Sequence, residues 1–268
     1  MRSLILFVIL IVAACAPKGV PVSDLLPIAE ELVGQAGTAY QETQLLDLLD
    51  RSHPTPDERA EIARQRCKLD HAMRGAAAAL PGCRAAADLG HAAGIRAAEK
   101  SSLRLALVLI DDPAHAEEGL RLASGLPQPT EPIDWALVLW ARGQGRLALR
   151  QPAVDEMLSA YAAVEAAVQR DPKRAEFLAI ADLRLGHALG AAGKVDEARI
   201  ALQRGVKHQR QLDAENPEYA EYRLYLVRLL RALGDLPGED AARAEAQRLA
   251  QELLRRDPQR AQYQAEVR

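Results

Sequence analysis

Three short segments that end in proline recur in the C-terminal half at nearly constant spacing. They are Arg170-Asp171-Pro172, Glu215-Asn216-Pro217 and Arg256-Asp257-Pro258, with 45 and then 41 residues between successive prolines. In each segment an acidic or amide residue suits the cap of a helix and proline suits its first turn. A period of about 40–45 residues with two helices per unit is typical of stacked helical repeats.

The composition favours helices over strands along the whole chain. Ala (51) and Leu (40) make up about a third of the 268 residues, whereas Val, Ile and Thr total 28 and aromatic residues 4%. Strands favour β-branched and aromatic side chains. A hydrophobic content of 49% argues against disorder. We therefore predict an all-α fold, and the repeats indicate a helical solenoid.

The clearest repeat unit lies between Pro172 and Pro217. Apolar or small residues of its first helix recur at spacings of three and four, as expected for one helical face: Leu178, Ala181, Leu185, Ala188 and Ala192. Gly193 then interrupts the pattern. A second helix repeats the arrangement with Val195, Ala198, Leu202, Gly205 and Val206.

Residues 185–198 of this unit, together with Gly205, resemble the tetratricopeptide repeat (TPR). The family places small residues where its two helices cross, and Gly186, Ala198 and Gly205 match those positions. The resemblance extends over residues 130–268 and implies a right-handed α-solenoid of antiparallel helix pairs. The first helices of its helix-turn-helix units line a concave, peptide-binding groove. By this match His187 and Arg231 face the groove. Residues 24–126 are expected to form helical hairpins without the repeat motif.

The N-terminus has the order of a secretory signal peptide over residues 1–14. Arg2 supplies a positive charge, residues 4–12 are apolar, and small residues follow. Residues 12–15, Val-Ala-Ala-Cys, resemble the lipobox of bacterial lipoproteins, which implies acylation of Cys15 and a tether over residues 15–23. Ala16 in place of Asp implies the outer membrane, facing the periplasm. The alternative is an uncleaved membrane anchor, but the apolar run is shorter than the roughly 20 residues that span a bilayer.

Cys67 and Cys83 remain after Cys15 is assigned to the lipid. Outside the inner membrane they can form a disulfide. If one helix runs on to a turn at residues 80–82, the two thiols lie too far apart; a break near Arg74-Gly75 would bring them together. The alternative is two separate buried thiols. A metal site is disfavoured, since too few ligands lie nearby in sequence.

Start and stop residues predict the first helices. Thr55-Pro56-Asp57-Glu58 reads as a capping box that begins a helix, which we expect to end near Ala79 before Pro81-Gly82. A second helix is expected from Cys83 to Lys100. Asp111-Asp112 precedes a proline and is interpreted as a helix cap. Three prolines within residues 126–132 mark the boundary between the two halves.

The sequence contains no recognised catalytic, phosphate-binding or metal-binding motif. Its six histidines are scattered, and its net charge of −3 does not favour nucleic acid. We therefore expect no enzymatic activity, no cofactor, no metal and no small-molecule substrate.

Tyrosine and arginine on one predicted helix suggest a recognition surface, because both are common interface anchors. Tyr219 begins a stripe at three-residue spacing. The predicted partner-binding residues are Tyr222, Tyr225, Arg228, Arg231 and His187. The alternative is that the tyrosines pack between neighbouring helices.

Together these observations predict a lipid-anchored adaptor or scaffold of the bacterial cell envelope. It would bind protein partners through a concave face of helical repeats and assist assembly of an outer-membrane or secretion/pilus complex, as the resemblance implies. Two alternatives are an enzyme acting on peptidoglycan through an unrecognised site, and a structural spacer that self-associates.

Overall fold

A computed structural model describes residue 22, residues 24–27 and residues 39–267 of the chain, and these residues form helices and no strands. The all-α prediction is confirmed. Between Ala39 and Val267 there are twelve α-helices and one short 3-10 helix, Pro172–Ala175. The α-helices are α1 Ala39–Arg51, α2 Pro56–Arg74, α3 Ala76–Ala93, α4 Ile95–Asp111, α5 Ala116–Gly125, α6 Pro132–Ala148, α7 Val154–Arg170, α8 Glu176–Ala191, α9 Val195–Glu215, α10 Ala220–Gly234, α11 Asp240–Arg256 and α12 Ala261–Val267.

Contacts between helices divide them into two sets. Every helix packs against its neighbours in the chain, and the odd-numbered helices contact only those neighbours. The even-numbered helices from α2 to α12 also contact one another in order, and α12 returns to contact α2. We call α2, α4, α6, α8, α10 and α12 the inner helices, because their contacts form a closed series that the odd-numbered helices flank.

The first helices begin as predicted but end elsewhere. At the start of α2 the Thr55 Oγ1 accepts a hydrogen bond from the Glu58 amide at 3.3 Å, and Glu58 Oε2 accepts one from the Thr55 amide at 2.9 Å. The helix ends at Arg74, because Gly75 turns the chain with a φ of +82°. Such a φ suits glycine alone without strain.

The predicted helix end at Pro81-Gly82 and the predicted helix over residues 83–100 were therefore wrong. Pro81 lies inside α3, which ends at Ala93. Gly94, with a φ of +137°, separates α3 from α4. The turns thus fall at Gly75 and Gly94, the positions where the backbone needs a positive φ, rather than at the proline.

Small residues allow α8, α9 and α10 to cross closely. A Cβ atom added to Gly186 would lie 2.5 Å from Cγ of Leu202, and one added to Gly205 would lie 2.6 Å from Cδ2 of Leu229. Ala198 is fully buried. Large side chains at these positions would separate the helices.

Glu42 on α1 is a fully buried carboxyl group, and neither of its oxygens has a hydrogen-bond partner. Burial raises its pKa to about 8, although the positive charges of Lys68 and Arg260 oppose the rise. An unpaired charge is costly in such a place, so this group favours its protonated form.

Val22 is the one described residue of the predicted tether, and it contacts the folded body. Val22 is buried and packs with Leu46 and Ile62 of the first two helices. Residues 1–21, with the predicted signal peptide and Cys15, lie outside the described residues. Within the described part of the chain, every helix is too short or too polar to cross a membrane.

Candidate functional site

Polar side chains from three inner helices lie close enough for the charge of one to shift the pKa of another. We call this set the inner face. It consists of Arg104 and Asp111 on α4, Arg184 and His187 on α8, and Tyr225 and Arg228 on α10.

His187 lies within electrostatic reach of cations on two inner helices. Its side chain is exposed to solvent, and its pKa is lowered to about 4, first by desolvation and then by the positive charges of Arg184 and Arg228, against the negative charge of Asp235. The groove-facing position that the repeat resemblance implies for His187 remains a prediction.

Arg228 and Arg231 hold the last helix of the described chain. Arg228 Nε donates to Glu266 Oε1 at 2.8 Å, and Arg231 Nη1 donates to Glu266 Oε2 at 3.1 Å. Arg231 also donates to the carbonyl oxygens of Ala265 and Glu266. The charge of Arg231, predicted to face a partner, is thus neutralised within the chain.

The tyrosine stripe divides between two roles. The Tyr222 hydroxyl donates to Glu176 Oε2 at 2.7 Å, which ties α10 to the start of α8. Its ring contacts that of Tyr219, with centroids 4.7 Å apart. Burial and this carboxylate raise the pKa of Tyr222. Tyr225 instead belongs to the inner face, with the Arg228 guanidinium 5.5 Å from its ring centroid.

A chain of three side chains links α2 to α4 beside the inner face. Arg104 Nη2 lies 2.9 Å from Nδ1 of His71, and His71 Nε2 lies 3.3 Å from Oδ2 of Asp111. A guanidinium only donates hydrogen bonds. We therefore assign Nδ1 of His71 as the acceptor and its Nε2–H as the donor to Asp111, which is the neutral imidazole.

Asp111 and Asp112 have separate roles, although the sequence suggested a single cap. Asp112 Oδ1 accepts from the Ala114 amide at 3.1 Å at the end of α4. Burial would raise the pKa of Asp111, but the hydrogen bond from His71 and nearby cations lower it overall. Sequence reasoning missed Arg104 and Asp111 as a pair. Their spacing of seven residues places both side chains on one face of α4, and this spacing could have indicated that they lie close together.

Arg184 has a neutral partner. With the Gln144 amide oriented so that its oxygen faces α8, Oε1 accepts from Arg184 Nη2 at 3.2 Å and from Nη1. Arg184 Nε is buried without a hydrogen-bond partner, as is Nε of Arg104. Burial lowers the pKa of Arg184 and lowers that of Arg104 to about 10. Sequence reasoning did not single out Arg184, three residues before His187.

Cys67 and Cys83 are joined by a disulfide bond in the structure, with Cα atoms 4.8 Å apart. The turn at Gly75 makes this possible, because α3 folds back against α2 from that point. Both cysteines are buried, and they pack in one cluster with Leu109 of α4. The bond fastens α2 to α3.

Among the described residues, no three histidine, cysteine or acidic side chains lie where they would hold a metal ion. No family model matches the chain, and no curated protein has a significantly similar sequence.

Proposed function

We propose that this protein is a lipid-anchored adaptor of the bacterial cell envelope that binds a protein partner through its inner face. The observation that supports this most strongly is the group of polar side chains on α8 and α10, where the Arg228 guanidinium lies 5.5 Å from the centroid of the Tyr225 ring and its charge lowers the pKa of His187. Arginine and tyrosine are enriched among the residues that contribute most to protein interfaces.

We further infer that the helices form a right-handed, TPR-like solenoid of antiparallel pairs. Two features support this. Inner helices contact their second neighbours whereas the odd-numbered helices do not, as expected when helix pairs stack in one direction. In addition, Gly186, Ala198 and Gly205 lie at close helix crossings, where the family also places small residues.

The proposed anchor is Cys15, at the end of the lipobox-like residues 12–15. Acyl chains contribute about 0.8 kcal/mol for each buried methylene, and two or more chains hold a protein stably on a membrane. Confinement to a membrane raises the effective concentration of the adaptor near membrane-bound partners. An outer-membrane or secretion/pilus complex under assembly is the client that we propose.

Site-specific crosslinking tests the partner-binding face. A photo-crosslinking amino acid at position 187 would be compared with one at position 200 in the native bacterium. Ile200 lies on α9 and is 65% exposed, which makes it a matched control outside the inner face. We expect a distinct protein adduct from position 187 alone. Equal adducts at both positions, or none at 187, would contradict the proposal.

Cys15→Ser tests the anchor. We expect the variant to lose its acyl chains, measured by mass spectrometry of the N-terminal peptide, and to leave the membrane fraction. Wild-type membrane partitioning of the variant would refute lipid anchoring at this position.

A further inference from the structure

Two side chains of the short helix α12 are buried in the body of the molecule. Tyr263 is fully buried, and Glu266 is 8% exposed. Gln264 and Ala265, which lie between them, are exposed. A spacing of three residues places the aromatic ring and the carboxylate on one face of the helix. The most buried part of α12 is therefore an aromatic residue followed three positions later by an acid.

The ring and the carboxylate meet different surroundings. Tyr263 belongs to the apolar cluster that α8, α9, α10 and α11 form, and the Arg260 guanidinium lies 4.9 Å from its ring centroid. The carboxylate of Glu266 forms ion pairs with Arg228 and Arg231, at 2.8 and 3.1 Å. The site that holds α12 thus offers an apolar surface next to a pair of cations.

Side chains of the body also contact the backbone of α12. The Arg231 guanidinium donates to the carbonyl oxygens of Ala265 and Glu266, the first at 3.4 Å. Gln247 Nε2 donates to the carbonyl oxygen of Val267 at 3.4 Å. The last carbonyl groups of a helix have no partner within the helix itself. These contacts require a helix end and no particular side chain, so another helical segment can form them.

The size and attachment of α12 are those of a docked segment. Its seven residues are fewer than the roughly 12–15 that a helix needs for marginal stability in isolation. It contacts α2, α10 and α11, and residues 257–260 join it to α11. The contacts among the other eleven helices do not involve α12, so they remain in place when it detaches.

The contacts of α12 fall on residues that the sequence predicts to bind a partner. Arg228 and Arg231 are two of those predicted residues, and both pair with Glu266. A carboxylate supplied by a partner would compete with Glu266 for the same N–H donors. A partner that binds these arginines therefore has to replace α12.

We propose that α12 is an internal ligand of the inner face and that a partner segment of the same chemistry displaces it. This segment is a short helix with an aromatic residue three positions before an acidic one. Its ring takes the place of Tyr263 in the apolar cluster, and its carboxylate takes the place of Glu266 at the two arginines. The inference rests on the proposed function and names the kind of partner.

Fluorescence anisotropy with the purified full chain tests the exchange. The probe is a labelled synthetic peptide of residues 257–268 of this sequence. In the wild type the chain's own α12 competes at an effective concentration on the order of millimolar, so we expect weak binding. Glu266→Gln loosens this competitor, and we expect the variant to bind the peptide about fivefold more tightly, or better. No measurable binding to the variant, or equal binding to both proteins, would overturn the proposal.

Changes in the peptide test the proposed motif. We expect the Tyr263→Ala and Glu266→Gln peptides each to bind the Glu266→Gln protein about tenfold more weakly, since each lacks one of the two docked side chains. Ala265→Gln in the peptide is the control, because Ala265 is exposed on α12. Equal affinity for all of these peptides would contradict recognition of the motif.

Changes in the protein test the docking site. Added to Glu266→Gln, the change Arg231→Gln should weaken peptide binding about tenfold, because it removes donors to both the carboxylate and the helix end. Arg121→Gln is the matched control, since Arg121 is exposed on α5 and pairs with Glu117. Circular dichroism confirms that each variant keeps its helices. Unchanged affinity after Arg231→Gln would place the peptide elsewhere and overturn the proposal.

NMR of isotope-labelled wild-type protein observes the displacement directly. With unlabelled peptide at saturation, the backbone signals of residues 261–267 should move to unfolded positions, while the other helices keep helical chemical shifts. Helical shifts of residues 261–267 at saturation would show that the peptide does not replace α12.

Crosslinking separates this inference from the proposed function. With a photo-crosslinking amino acid at position 187, we expect a larger yield of the partner adduct in Glu266→Gln than in the wild-type background. An adduct of equal yield would leave the proposed function standing and contradict displacement of α12. Peptide exchange without any adduct at position 187 would support the internal ligand and contradict the proposed function.

Discussion

Gly186 on α8 and Leu202 on α9 approach so closely that a Cβ atom at position 186 would lie 2.5 Å from the leucine Cγ. A methyl group there forces the leucine or its helix to move. We expect Gly186→Ala to lower the free energy of unfolding by about 1–3 kcal/mol, the usual range for overpacking. Urea unfolding followed by circular dichroism measures the change.

Gly190 on the same helix provides the control. A Cβ atom at that position meets nothing within 4 Å. Alanine is a better helix former than glycine, so Gly190→Ala should raise the free energy of unfolding by about 0.5–1 kcal/mol. The same substitution at two positions one helical turn apart should therefore change the free energy of unfolding in opposite directions. If Gly186→Ala were also stabilising, the close crossing of α8 and α9 would be wrong.

The buried carboxyl group of Glu42 should make stability depend on pH. Its pKa is raised from 4.5 to about 8 in the folded protein, so the folded state binds a proton that the unfolded state releases near pH 4.5. The resulting stability is fully present below pH 4.5 and is lost as the pH rises to about 8. In Glu42→Gln the side chain keeps nearly the same shape but cannot ionise. The free energy of unfolding of this variant should be close to that of the wild type at pH 4.5. At pH 9 it should be higher than that of the wild type by roughly 2–5 kcal/mol.

Chemical unfolding of both proteins at the two pH values measures this difference. Glu117→Gln is a suitable control, because Glu117 is 76% exposed in its side chain. A Glu42→Gln variant with the same pH profile as wild type would show that Glu42 ionises normally.

The disulfide between Cys67 and Cys83 should contribute to stability. It closes a loop with a sequence separation of 16 residues, for which chain-entropy estimates give about 3 kcal/mol. Since both cysteines are buried, a reductant should act only when the region opens. We expect the midpoint of thermal unfolding to fall after reduction. The double variant Cys67→Ser, Cys83→Ser should have the lower midpoint already and should not respond to reductant.

Glu266 should control the attachment of α12. It is 8% exposed and accepts from both Arg228 and Arg231. Glu266→Gln removes the negative charge and leaves two guanidinium groups without an anionic partner, a loss of about 1–3 kcal/mol. We expect faster amide hydrogen exchange over residues 261–267, measured by mass spectrometry. Glu215→Gln is the control, because Glu215 is exposed and its carboxylate accepts a hydrogen bond from Gln211. This variant should leave amide exchange over residues 261–267 unchanged.

Local sequence patterns predicted the helices where several properties agreed. Several sequence features predict a turn at Gly193: the end of one helical period, the glycine itself and the start of a new period at Val195. In the structure α8 ends at Ala191 and α9 begins at Val195. In the Ala-rich region from Gly75 to Gly94 the pattern was weaker. There the sequence predicts a helix end at the proline, whereas the positive φ of Gly75 and Gly94 determines the turns in the structure.

The candidate site was predictable only in part. Tyr225 and Arg228 lie three residues apart on one predicted helix, so their contact followed from spacing. His187 was named only through the repeat resemblance. His71 and Arg104 lie before the boundary at residues 126–132 and Gln144 lies on α6, so their contacts depend on how helices distant in sequence pack. The ion pairs of Arg231 depend likewise on where α12 packs. Local sequence carries no information on such long-range placement.

The contact between α12 and α2 changes how the molecule should respond to mechanical force. A row of stacked repeats with free ends can lengthen gradually, since each interface yields a little under tension. Here the two ends of the series are joined, so a pull applied between residues 56 and 267 acts first on that single junction. Extension should therefore begin with one abrupt rupture, after which the remaining helices separate.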